Sequence, residues 1–496
     1  MFHLLKAKDG KLEEAENKEL FLDLNIDQII EKVCDGWGEE VKALYFSMPL
    51  DLETQEYRRN IFTEIRKKDL LAAFVDFLEK MRMRRVCLER MEKVEAKEQR
   101  QTWFLRGAAC YVEALEGLKA ELSKRELTSK GLIGLSETLT EQTKEVGYSA
   151  FLEETMRLSR ELSGFRVLLT YEKDRFLVTE GTGKGTFDTY LKEQFPKTEA
   201  LFKSPFLSDF DLSDLETEIL RLFEKNHKEF FSHLNSYEKQ WNGYAREVVL
   251  SLPTEISFYV AYFRFLEKMR ANGFTFCTPK ISKDRFSVMG LYDLALAISS
   301  LENGKEVIPN DAEYEEGEKF FVLTGPNQGG KTTFARSLGQ LVYFTKMGLD
   351  VPAAEATLPY YKELLTHFSV EESSDTGRGK LMDELERLKP MMEKTKEEAF
   401  VVINELFTTA ANYDACIMGK RVLEYFIGQG FQGIYVTHLS ELSKACDGVV
   451  SLRAMVDENM MQTYRIARSE AKELAGAITQ VEKYGLTYLQ IKERFS

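Results

Sequence analysis

No stretch of the chain approaches the ~20 consecutive apolar residues that a membrane-spanning helix requires. The first residues, Met1 to Gly10, contain neither an apolar core segment nor a small-residue cleavage site, so no secretory signal is expected. Cysteine is scarce: Cys34, Cys87, Cys110, Cys277, Cys416 and Cys446 are scattered, with no C-x-x-C pair. That argues against a zinc site and a disulfide framework and fits a reducing cytoplasm, with buried apolar thiols as the simplest use. Net positive charge is also missing. The total is −14, whereas nucleic-acid binders usually present a basic surface, so tight non-specific binding to a polyanion is disfavoured unless a basic groove is local. Of the five histidines, His3, His227, His233 and His367 show no metal-ligand spacing. There is no repeat array and no low-complexity tract.

A chain of 496 residues that is 44% hydrophobic and 12% aromatic has material for two to four domains with sizeable cores. Residues 1–290 read as mostly helical. Leu70, Phe74, Phe77 and Met81 recur at helical spacing within Glu64–Lys97, and Leu212–Arg270 is a second long striped stretch, with a break expected near Leu252-Pro253. Long amphipathic helices of this kind suit a bundle or lever arm. Phe165–Thr170 and Arg175–Thr179, joined by Tyr171–Asp174, predict a small hairpin insert at about 164–195. After about 300 the pattern changes. Phe320–Thr324, Phe400–Ile403 and Gly433–Thr437 are short continuous apolar runs, as strands buried on both faces of a parallel sheet should be. Val449–Val456 and Met461–Ala467 predict an edge hairpin. Residues 291–496 thus form an α/β domain behind the helical region.

The most specific motif is Gly325-Pro326-Asn327-Gln328-Gly329-Gly330-Lys331-Thr332, a G-x-x-x-x-G-K-T phosphate loop between a predicted strand and a predicted helix. Glycines let the backbone curl so that successive N–H groups face phosphate oxygens, and the helix N-terminus adds a favourable dipole. Lys331 is expected along the β- and γ-phosphates, and Thr332 is expected to offer its hydroxyl to Mg²⁺. ATP with Mg²⁺ is the implied ligand. Asn404-Glu405 ends the next apolar run, where phosphoryl transfer to water needs one group for the metal or its waters and one to orient the attacking water. Asn404 supplies a neutral acceptor and Glu405 a carboxylate. His438 closes the following strand, within reach of a γ-phosphate.

On these residues the chain resembles the MutS family of DNA mismatch-repair ATPases. Thr324–Thr333 is similar to that family's phosphate loop, including Pro326-Asn327 and the added Thr333. Ile308–Asp311, Gly377–Leu385 and Thr437–Leu442 resemble further family segments in order, and Met48–Arg58 and Tyr259–Pro279 resemble parts of its core and lever. The resemblance implies an ABC-like P-loop ATPase domain that forms a homodimer, with Gly377, Arg378 and Gly379 reaching the partner's nucleotide. It also implies lever helices whose position follows the nucleotide and which hold DNA. The chain opens at the core-like segment, so the family's mismatch-reading domain is not expected. Asn404 stands where the family has Asp, and Gly379-Lys380 where it has Ser-Thr. Lys173, Arg175 and Lys184 of the insert are candidates for phosphate contact. The reading is therefore a cytoplasmic, dimeric, ATP-hydrolysing protein acting in mismatch repair or a related DNA transaction. The alternative is an ATP-gated scaffold with little turnover. An ABC-type or SMC-like machine is disfavoured because the chain has no Leu-Ser-Gly-Gly signature and no sustained heptad pattern.

Overall fold

A computed structural model describes residues 2–8, 10–12, 18–165, 167–172, 175–180, 221–368, 380–393, 398–459 and 461–469. It divides into two compact units, Met1–Phe2 with Ile65–Ser257, and His3–Glu64 with Phe258–Ser496. A single boundary at 290 is therefore not how the chain groups. The stretches 3–64 and 258–290 are helical in part, as expected, but their apolar faces are buried with the C-terminal residues. Tyr343 donates its hydroxyl to the carbonyl of Tyr45 at 2.5 Å, and Phe62 stacks on Phe263 at 4.2 Å between ring centres.

The helical unit is built on helices Leu71–Lys93 and Lys97–Ser123, joined by a three-residue turn, with Lys130–Lys144, Tyr148–Gly164 and Lys228–Trp241 packed beside them. The predicted stripe Leu70, Phe74, Phe77 and Met81 is buried. Cys87 and Cys110 share a thiol hydrogen bond that sequence spacing did not announce. The hairpin insert is present as antiparallel β1 (Val167–Glu172) and β2 (Arg175–Glu180). Lys173 and Lys184 lie outside the described residues. The break expected at Pro253 is absent, because helix Glu247–Ala271 runs through it. Val249, Leu252, Ile256 and Phe258 around it are fully buried, which outweighs one missing backbone donor. The interruption falls instead before Glu247, at Asn242–Arg246, where Gly243 has φ 79°.

The second unit holds two sheets. The smaller has the order β3 (Lys280–Ile281), β7 (Glu355–Leu358), β4 (Ser287–Leu291), β5 (Asn310–Glu313). The larger has six strands in the order β12 (Gln462–Arg468), β11 (Val449–Val456), β6 (Phe320–Thr324), β10 (Gln432–Val436), β9 (Ala399–Asn404), β8 (Glu363–Phe368). All its neighbours are parallel except the β11–β12 edge hairpin. The continuous apolar runs follow from burial on both faces. Phe320, Val322, Val401, Ile403 and Tyr435 face one core with Ala415, Leu423 and Phe426 of helix Asn412–Gly428 and Leu388 and Met391 of helix Lys380–Met392. On the other face, Phe321 and Phe400 meet Phe286, and Tyr314 stacks on Phe321 at 4.1 Å. Helix Lys331–Lys346 packs on β8, β9 and β10 and also touches β4 of the smaller sheet. This accounts for its burial on nearly every side. The order of the parallel strands brings the ends of β6, β9 and β10 together, so that three separate motifs reach one place.

Candidate nucleotide site

The phosphate loop joins the fully buried β6 to the start of helix Lys331–Lys346, the context the motif requires. Its backbone uses conformations that few residues tolerate. Gly325 has φ 133° and Gly330 φ 85°, and Gln328 also lies in the left-handed region at φ 61°. A side chain at Gly325 would have its Cβ 2.9 Å from Ala454 Cβ and 3.1 Å from the Ala454 nitrogen, because strand β11 runs directly alongside. The absence of that atom is what lets the loop lie against β11.

Lys331 is 5% exposed, and its ammonium donates to the carbonyls of Gly325 and Pro326, both at 3.0 Å. Burial lowers its pKa, partly opposed by the negative charge of Glu405. The ammonium is thus held over the loop, where it could donate to a phosphate alongside the loop's N–H groups. The Thr332 hydroxyl donates to Asn404 Oδ1 at 3.0 Å, tying the first helical turn to the end of β9. Glu405, the next residue, has φ 57°, and its N–H donates to the carbonyl of Val436 on β10 at 2.9 Å. This turn carries the Glu405 carboxylate toward His438, whose Nε2 lies 2.7 Å from Glu405 Oε1. Glu405 and His438 are both part-exposed, so they can meet a ligand.

These groups border a cleft of about 1010 Å³, within the range of sites that accept a whole nucleotide. Lys331, Thr332, Thr333, Glu405 and His438 line its polar part, and Leu291, Leu296 and Ile308 add an apolar part. Asn327, Gln328 and Gly330 also line it, while Gly325, Pro326 and Gly329 shape the loop, with the Gly329 N–H donating to the Pro326 carbonyl at 3.3 Å. The structure therefore brings Lys331, Thr332, Asn404, Glu405 and His438 together. Gly377, Arg378 and Gly379 lie outside the described residues.

The structure adds residues the sequence reading did not assign. Gln462 Nε2 donates to the Asn327 carbonyl at 2.7 Å, so the edge hairpin grips the phosphate loop. Tyr464, at φ 57°, sits beside Gly330 and is half exposed on the cleft wall. Asn310 holds that hairpin, donating to the Tyr464 carbonyl at 3.1 Å and accepting the Ile466 N–H at 2.7 Å. Only Asn310 had left a sign, in the Ile308–Asp311 segment. Gln462 and Tyr464 sit in a strand of ordinary alternation, and their use depends on which strand is last in the sheet.

The donor set fits a nucleoside triphosphate: a curled backbone, a buried ammonium and a helix N-terminus meet at one end of a cleft with an apolar wall. For Mg²⁺ the set is lean. Thr332 gives its proton to Asn404 and keeps lone pairs for a metal, but Asn404 adds no charge. Among the described residues no group of three His, Cys, Asp or Glu side chains is poised around a metal. A magnesium ion here would rely mainly on phosphate oxygens and Thr332.

The family model for MutS domain V matches residues 321–487. The DNA mismatch repair protein MutS of Shouchella clausii (strain KSM-K16) is 25% identical over 345 residues, 68% of this chain and 35% of that protein. The MutS of Fervidobacterium nodosum (strain ATCC 35602 / DSM 5306 / Rt17-B1) is 22% identical over 383 residues, 69% of this chain and 45% of its own length. That of Bacillus anthracis (strain CDC 684 / NRRL 3495) is 27% identical over 167 residues, 33% of this chain and 19% of its own length. The chain thus spans less than half the length of these relatives. No described helix is long and apolar enough to cross a membrane. The matched segment holds the helix after the phosphate loop and the edge hairpin, so residues 321–487 match MutS domain V and the chain is similar to MutS proteins over about two thirds of its length.

Proposed function

We propose that this protein binds ATP with Mg²⁺ in the cleft at Gly325–Thr333 and hydrolyses it, as an ABC-like ATPase that pairs with a second copy, and that its nucleotide state controls DNA binding in mismatch repair or a related transaction. The observation that carries the catalytic part is the Glu405–His438 pair, 2.7 Å apart at the rim of the cleft that holds Lys331 and Thr332. The triphosphate would lie along the loop with its γ-phosphate toward that pair, and the base would lie toward Leu291, Leu296, Ile308 and Tyr464. Glu405 would orient a water and take its proton as the water oxygen bonds the γ-phosphorus. The bond from that phosphorus to the β–γ bridging oxygen breaks, releasing ADP and inorganic phosphate. His438 holds the Glu405 carboxylate and can donate to a γ-oxygen. Magnesium, when bound at Thr332, neutralises phosphate charge.

The test uses two variants. Lys331→Ala is expected to lower ATP affinity by at least ~tenfold through loss of a charge-assisted contact. Glu405→Ala is expected to keep ATP binding while turnover falls ~100-fold or more. ATPase activity unchanged in both would refute the reading. Homodimerisation, with Gly377, Arg378 and Gly379 completing the partner's site, is tested by sedimentation with and without ATP. DNA binding is tested by salt-titrated measurements on duplex, mismatched and branched DNA. A flat response to every DNA form would remove that part.

One observation favours a second reading, an ATP-gated dimeric scaffold with little hydrolysis: the residue that receives the Thr332 hydroxyl is the uncharged Asn404. Asn404→Asp adds the missing charge, so a slow native enzyme should be accelerated. A native rate already equal to that of the Asp variant would dismiss the scaffold.

A further inference from the structure

We propose that Glu384, which does not touch the cleft, is a positioning residue for Glu405: its buried carboxylate holds the loop after β9 in the backbone shape that points Glu405 at the phosphate loop. The inference rests on the hydrolytic role of Glu405 proposed above. The chain after β9 turns sharply. Glu405 has φ 57° and Phe407 φ 63°, so two side-chain-bearing residues within three positions adopt left-handed backbone. For an aromatic residue that conformation is rare and persists only where the surroundings enforce it. Three contacts enforce it here. The Glu405 N–H donates to Val436 on β10 at 2.9 Å, the Ala410 N–H donates to the Phe407 carbonyl at 3.2 Å, and the Phe407 N–H donates to Glu384 Oε2 at 3.0 Å. The last is the only one of the three made by a side chain.

Glu384 is 3% exposed. A carboxylate so buried in a helix is a poor choice for packing alone, because its desolvation is unfavourable unless it is used. Its helix, Lys380–Met392, is itself fastened. Arg387 donates to the Phe368 carbonyl at 2.8 Å and pairs with Glu19 at 3.2 Å and Asp23 at 3.4 Å. His367 Nε2 lies 3.2 Å from the Glu384 carbonyl. Leu406 and Phe407 are buried in the core that Leu388 and Met391 of the same helix complete. A shift of this helix would therefore be passed through one hydrogen bond to the residue two places after Glu405. The geometry makes helix Lys380–Met392 a handle on the water-orienting carboxylate.

The experiment compares the native chain with Glu384→Gln, which keeps an acceptor oxygen, and Glu384→Leu, which keeps the volume and removes it. Three readouts are taken: amide hydrogen exchange of the peptide spanning 405–411, affinity for a fluorescent ATP analogue, and kcat. Glu384→Leu is expected to speed exchange at Phe407 and lower kcat by roughly tenfold or more, since small misplacements of a catalytic group have effects of that size. ATP affinity should stay within about twofold. Glu384→Gln should restore most of both losses. Unchanged exchange at Phe407 in the Leu variant overturns the proposal. So does a parallel loss of ATP affinity and kcat that Gln fails to rescue, because that is the signature of general disruption. If the native chain turns over no ATP, the hydrolytic reading falls by itself. Exchange at Phe407 then decides alone whether Glu384 holds the loop.

Discussion

Thr332→Val is the most informative perturbation of the resting site. It preserves the shape of the side chain and removes only the hydroxyl that donates to Asn404 Oδ1 at 3.0 Å. Asn404 is 9% exposed at the end of β9, between β8 and β10, so its oxygen has little access to replacement water. The expected loss combines a net hydrogen bond with the penalty for a stranded acceptor, about 1–3 kcal/mol. Thr332→Ser keeps the hydroxyl and loses one part-exposed methyl, which should cost under about 0.8 kcal/mol. The assay is urea unfolding without nucleotide, followed by Trp37 fluorescence in a background where Trp103 and Trp241 are Phe. Trp37 lies in the unit that holds the site, and the other two tryptophans lie in the helical unit. A cycle with Asn404→Leu isolates the pair, with an expected coupling of about 0.5–1.5 kcal/mol. The same variants titrated with Mg²⁺ and ATP should show Val, and not Ser, losing the magnesium dependence of binding. If Val and Ser unfold alike and the cycle closes at zero, the Thr332–Asn404 bond is not a fastening of this site and the argument fails.

Two further outcomes follow from individual residues. Burial holds the His367 imidazole neutral, its pKa lowered to about 4, with the Arg387 guanidinium adding to the effect. The unfolded chain, with an ordinary value near 6.5, takes up the proton first on acidification. This group's stabilisation is therefore complete above about pH 6.5 and is lost as pH falls toward 4, roughly 3 kcal/mol across that window. His367→Leu should flatten that part of the stability profile, and an unchanged slope would count against the assignment. Gly325→Ala should destabilise the chain by about 1–3 kcal/mol through its φ of 133° and the approach to the Ala454 backbone. It should also weaken ATP binding, since the Gly325 carbonyl is one of the two acceptors of Lys331. Calorimetry finding affinity within twofold of the native chain would refute the link between loop shape and binding.

Much of the site is local and therefore legible in the sequence. The phosphate loop needs glycines because backbone N–H groups must converge, and no distant residue can supply that curvature. The strands Phe320–Thr324, Ala399–Asn404 and Gln432–Val436 are continuous apolar runs because both their faces are covered, and the residues the site uses lie at or just after their C-terminal ends. The edge hairpin is written in two β-rich runs around Asp457–Asn459. The helical stripe from Leu70 to Met81 is equally direct. These features depend on periods of two or 3.6 residues and on backbone freedom, all of which are properties of short segments.

What the tertiary structure decided are the contacts that close over long separations. Strand order alone sets β11 against β6 and brings Gln462 and Tyr464 to the phosphate loop, more than a hundred residues away. The smaller sheet escaped the sequence reading because its strands are short and drawn from scattered segments, with Lys280–Ile281 contributing only two residues. Pro253 reads as a helix breaker, yet tertiary burial of its neighbours carries the helix through it. The grouping of 3–64 with the C-terminal residues and the hold of Glu384 on Phe407 have no local signature. The sequence by itself determined a glycine-rich loop of the phosphate-loop pattern and the candidate side chains that end beside it. Only packing decided which buried carboxylate braces the turn after β9, because a buried hydrogen bond is specified by both partners and neither can be recognised alone.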